Sequence, residues 1–138
     1  MTSEAATEPW MPPALWSRWR WAAVAAALVA AAAHLPLMPE HVRDAPYVGF
    51  AFAAFVFTDL GLAAAVLLAD TRIRYLLLGL VNLLAVGAYI ATRIVAFPQI
   101  GDDVGNWFEP AGVVSVLAEL TVLVFSALAI RRRSSPTA

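Results

Sequence analysis

The sequence predicts an all-α integral membrane protein, a four-helix bundle running up-down-up-down with both termini in the cytoplasm. Three observations predict it. Apolar residues make up 62% of the chain and charged residues 14%, where a soluble domain is roughly half apolar and about a quarter charged. A globule of 138 residues has too much surface for its volume to hide that excess. Four apolar runs, at about 19–38, 47–69, 75–97 and 110–130, each approach the roughly 20 residues that a membrane span requires. Finally, the arginines are sorted by side: Arg18, Arg20, Arg72, Arg74, Arg131, Arg132 and Arg133 fall at one set of span ends, and only Arg43 and Arg93 at the other. Cytoplasmic loops carry the basic excess. The termini and the 70–74 connection are therefore assigned inside, and Glu40, Asp44, Asp102, Asp103 and Glu109 outside.

Residues 1–15 are polar and proline-containing, too poor in apolar groups to pack, and are expected to form a disordered cytoplasmic tail. The membrane domain is assigned to residues 16–133. Trp16, Trp19 and Trp21 interleave with Arg18 and Arg20, the composition of a membrane–water interface. The first span is mostly alanine. Such a run makes a good helix with a thin surface, suited to close packing against its neighbours. Pro36 and Pro39 are expected to end it, and residues 40–46 to form a polar loop. The second span is interrupted near its middle by Thr58-Asp59. Asp70-Thr71-Arg72-Ile73-Arg74 is expected to be a tight basic connection joining spans two and three as a hairpin. Glu109 and Pro110 suit the N-cap and first turn of the fourth span. A short cytoplasmic tail, residues 134–138, closes the sequence. A barrel is excluded by the absence of alternating apolar residues, so helices must satisfy the backbone in lipid.

Ionisable residues inside a span are costly and are candidates for function. Asp59 lies near the midplane, where a carboxyl stays neutral unless a cation is close, and can then donate a hydrogen bond or relay a proton. Glu119 lies about nine residues below the outer end of its helix, roughly 14 Å deep at 1.5 Å per residue. Arg93 sits near the outer end of span three, able to snorkel outward or to reach Glu119. Asn82, Tyr89 and Arg93 share one helix face by their spacing, and Ser115, Glu119 and Ser126 share another. The two polar stripes are expected to face each other, with an Arg93–Glu119 ion pair between them and His34 as a further member. His34, Asp59, Tyr89, Arg93 and Glu119 are thus the candidate ligand-binding or proton-relay residues. In the outer loop, Trp107 and Phe108 read as an interfacial belt, and residues 101–109 as a possible lid over the polar core.

Composition removes several function classes. With no cysteine, disulfides, thiolate metal sites and thiol catalysis are excluded. A net charge of −1 indicates no nucleic-acid partner. No phosphate-binding glycine motif, nucleophile elbow or zinc-protease motif is present. His34 and His41, with Glu40 and Asp44, are the only residues that would furnish a metal site, and no metal is expected. No cofactor is expected either: His34 could ligate a haem once, and no second intramembrane histidine exists.

His34-Leu35-Pro36 closing the first helix, with Asp59-Leu60-Gly61-Leu62 inside the second before a basic turn, resembles the DoxX-like four-helix membrane proteins. That resemblance implies an acid at this place in helix two. Residues 92–95 and 105–112, followed by Glu119, resemble a group of small four-helix proteins of actinobacteria. It implies the same architecture and brings no activity. The expected role is a non-catalytic plasma-membrane protein embedded in the lipid bilayer, partnering a larger membrane protein or binding a small apolar ligand through the polar cluster. The alternatives are a proton-coupled carrier or channel acting as a homo-oligomer with Asp59 as its protonatable group, and a quinone- or haem-binding redox protein.

Overall fold

The computed structural model describes residues 14–131, which contain helices and no strands. Most of the expected N-terminal tail (1–13), together with Arg132, Arg133 and the 134–138 tail, lies outside the described residues. Five α-helices follow in order: α1 (Arg20–His34), α2 (Met38–Asp44), α3 (Pro46–Leu68), α4 (Arg72–Ile94) and α5 (Pro110–Arg131). Four helical stretches are long and apolar enough to cross a membrane: Arg20–Asp44, Pro46–Leu68, Arg72–Ile94 and Pro110–Arg131.

The first stretch corrects the sequence reading. Pro36 and Pro39 do not end the helical path. α1 stops at His34, a 3-10 turn spans Leu35–Leu37, and α2 follows at once with residues 40–44 helical rather than in a loop. Each proline occupies the first turn of the element it opens, where a missing N–H costs nothing because that group has no intrahelical acceptor. The 70–74 connection is also shorter than expected. Arg72 already belongs to α4, and Arg74 reaches back across the turn, its Nη1 donating to the carbonyls of Ala65 (2.6 Å) and Ala69 (2.7 Å). Those carbonyls lie at the C-terminal end of α3, which draws a cation, and each also accepts a backbone N–H, from Ala69 and Thr71 respectively. At its other end α4 stops at Ile94, three residues before Phe97.

α1 packs against α3 and α5, α4 packs against the same two helices, and α2 lies on α3. The alanines do what their size allows. Ala23, Ala26 and Ala27 pack with Val24, Ala63, Val66, Tyr75, Leu78, Val122 and Ala129 in one core. The α2–α3 crossing is closer still: a Cβ on Gly49 would lie 2.5 Å from Val42 Cγ2 and 2.7 Å from its Cα. Phe57, Leu68 and Leu84 point away from the bundle, as side chains do that a bilayer covers.

Two tethers hold the ends. Before α1, the N–H of Leu15 donates to the Asp70 carbonyl (2.8 Å), and those of Trp16 and Ser17 donate to the Asp70 carboxylate (3.2 and 2.6 Å). Asp70 is thereby buried and clasps the N-terminal strand of chain to the α3–α4 turn. At the opposite end, the 95–109 loop is tied to both neighbouring helices. Tyr47 Oη donates to the Pro98 carbonyl (2.6 Å), and Tyr89 Oη to the Trp107 carbonyl (2.8 Å).

Candidate intramembrane polar site

The polar residues of the four spans form two groups. The inner group begins with Asp59 on α3, wholly buried, whose Oδ1 accepts from Asn82 Nδ2 on α4 at 2.7 Å. The second Nδ2 hydrogen of Asn82 goes to the Leu78 carbonyl at 2.9 Å. Both amide donors are therefore spent. On α5, Ser115 Oγ donates to Glu119 Oε1 at 2.7 Å, one helical turn away. His34, at the C-terminus of α1, brings its Nε2 to 3.9 Å from the same Oε1. Its other nitrogen, Nδ1, bonds the Ala30 carbonyl at 2.9 Å. Phe52 and Phe55 of α3 pack on the His34 ring, with centroids 4.9 and 4.6 Å away.

The outer group is built around Arg93. Its Nη1 binds Asp103 Oδ1 at 2.8 Å and the Asp103 carbonyl at 3.1 Å, while the guanidinium lies 4.5 Å from the centre of the Tyr89 ring. Arg93 does not pair with Glu119. The expected ion pair fails because the loop folds a 3-10 turn at Gly101–Asp103, which presents a carboxylate and a carbonyl together at the C-terminal end of α4. Reaching outward costs less than drawing the cation into the hydrocarbon. Glu109 acts as the expected cap, its two oxygens accepting from the N–H groups of Ala111 (3.1 Å) and Gly112 (2.6 Å). Gly112 is there because nothing larger fits: a Cβ would sit 2.5 Å from Tyr89 Cε2.

Of the five candidate residues, the structure places His34, Asp59 and Glu119 in the inner group and Tyr89 and Arg93 in the outer one. His41 stands apart on α2, its Nδ1 2.9 Å from the Leu37 carbonyl and its ring 5.0 Å from Phe52. Among the described residues, no three His, Cys, Asp or Glu side chains gather where they would hold a metal ion. Two partners went unassigned in the sequence reading. Asp103 looked like an ordinary loop acid. Asn82 was placed on the right helix face but not matched to Asp59. A signal for that match existed: Asp59 lies eleven residues before Asp70 and Asn82 eleven after Thr71, so a tight hairpin sets them at one depth.

The inner group is rich in acceptors and short of donors. Asp59 Oδ2, Asn82 Oδ1 and Glu119 Oε2 are buried with no hydrogen-bond partner. An unsatisfied buried polar group costs about 1–3 kcal/mol, more when it is charged. Neither carboxyl is in ion-pair contact with an arginine. These oxygens call for hydrogen from a proton bound to a carboxyl, a buried water or a donor brought by a ligand. No family model matches the chain, and no curated protein or solved structure matches it.

Proposed function

We propose that this is a non-catalytic, multi-pass protein of the cell membrane that binds a small, mostly apolar ligand through the buried group of His34, Asp59, Asn82, Ser115 and Glu119. The observation that carries the reading is the surplus of buried oxygens without donors, in a core whose nearest arginine is committed to Asp103. A ligand bringing a hydroxyl, amide or ammonium hydrogen would complete those bonds. The accompanying arrangement is up-down-up-down with both termini cytoplasmic. It is supported by the arginine distribution and by the pairing of each long helix with its neighbours in sequence.

The test is native mass spectrometry of protein extracted gently into detergent, with an absorption spectrum of the same sample. A bound small molecule is expected in the wild type and absent from Asp59→Leu. Bare wild-type protein from several lipid backgrounds would overturn the reading.

A second reading is favoured by the contact between Glu119 and His34: a proton-coupled carrier, working as an oligomer, with Asp59 as a protonatable group. In liposomes, Asp59→Asn should abolish proton-linked flux while leaving the protein folded. Unchanged flux would remove Asp59 from that role.

A further inference from the structure

We infer that Glu119 and His34 form a dyad that carries one proton, resident on one partner or the other. This deepens the carrier reading and rests on it only for the movement of the proton, not for its presence. The hydrogen-bond roles decide the matter. His34 Nδ1 lies 2.9 Å from the Ala30 carbonyl, and a carbonyl oxygen only accepts. Nδ1 therefore carries a hydrogen. In a neutral imidazole the other nitrogen is then a lone pair, and Nε2 is the atom turned toward Glu119 Oε1 at 3.9 Å.

A lone pair facing a carboxylate in an apolar core is repulsive; one proton between them converts the contact into an attraction. It can reside on Glu119, giving acid and neutral ring, or on Nε2, giving carboxylate and imidazolium. Either way the dyad carries no net charge. The groups around it do not offer another way to that balance. Ser115 donates its single hydrogen to Oε1 and brings no charge. Asp59 on α3 is within electrostatic range of Glu119 and is itself an acid. On α4, Arg93 is bound to Asp103, and Tyr89 donates to the Trp107 carbonyl. From α2, His41 shares the Phe52 ring with His34, at centroid distances of 5.0 and 4.9 Å. His34 is at the edge of the core and Glu119 1% exposed within it. The proton thus has two buried sites, the less deeply sealed one on His34.

The experiment uses the full chain in lipid nanodiscs and reads both partners at about neutral pH, where an unperturbed histidine is mostly uncharged. Nitrogen NMR of the imidazoles reports which ring atoms carry hydrogen. Infrared spectroscopy of glutamate-labelled protein reports a protonated carboxyl, assigned to Glu119 by its loss in Glu119→Gln. Two results support the dyad: a protonated Glu119 with a neutral Nδ1–H ring at His34, or an ionised Glu119 with a doubly protonated ring. Three overturn it: hydrogen on Nε2 alone, an ionised Glu119 beside a neutral ring, or both partners protonated. Should Glu119→Gln misfold, Glu119→Asp removes the labelled glutamate band in the same way, and His41→Gln assigns the remaining imidazole signals to His34, so the test stands. Proton flux, measured separately, can fail while the shared proton stands.

Discussion

Arg93 determines how the polar residues divide. Because its guanidinium is bound by Asp103, the acids deeper in the bundle are left to each other and to neutral donors. Double-mutant cycles separate the two pairings. Arg93→Met and Asp103→Asn should be strongly non-additive in thermal unfolding, with a coupling of about 0.5–3 kcal/mol. Arg93→Met and Glu119→Gln, without a shared bond, should add to within about 0.5 kcal/mol; a coupling of several times that would restore the pair the structure denies. At Asp59, replacing only its donor should hurt more than replacing both residues. Asn82→Leu leaves a buried carboxyl with no donor and should cost about 1–3 kcal/mol, much of it recovered in Asp59→Leu/Asn82→Leu. These assignments were the least readable part of the sequence. Spacing places Asn82, Tyr89 and Arg93 on one face, but whether a long side chain turns up or down depends on what the loop offers it. Asp103 acquires its role only when residues 101–103 close a 3-10 turn.

The helices themselves were legible, because in lipid an apolar run has few alternatives to satisfying its own backbone. Their ends were less so. Proline at 36 and 39 reads as a stop, yet in a first turn it is a start, and the difference lies in whether the path continues on the next residue. Arg72 and Arg74 read as loop by charge, whereas both open α4 and Arg74 covers the end of α3. Packing between elements yields sharper tests. Gly112→Ala drives a methyl group against the Tyr89 ring and should destabilise by about 1–3 kcal/mol. Gly61→Ala, at a position where a Cβ meets nothing within 4 Å, should be neutral or stabilising by up to about 1 kcal/mol. Both are read from unfolding in detergent, and similar losses at the two sites would contradict the close α4–α5 approach. Asp70→Ala should release the side-chain clasp on residues 16 and 17, seen as faster hydrogen exchange at the Trp16 and Ser17 amides.

At the scale of the molecule, the arginine distribution makes a topological prediction that the cysteine-free sequence makes easy to test. Asp102→Cys should react with an impermeant thiol reagent from outside intact cells, and Ser134→Cys only after the membrane is opened. Labelling of both from one side would mean that α5 does not cross the membrane, and the reverse pattern would invert the bundle. The ring of contacts also has a consequence in time. α1 leaves the ribosome before α3, α4 and α5, yet one of its two long partners is α5. Until α5 arrives, the alanine face of α1 has only lipid along half its width, and His34 has no Glu119 to meet. Its N-terminal clasp likewise waits for Asp70, two spans later. Synthesis therefore delivers the opening helix well before its lodging exists. A nascent chain halted after α4 should hold α1 loosely in the bilayer, accessible to proteases and insertion factors, and completion of the final helix should end that exposure in a single step.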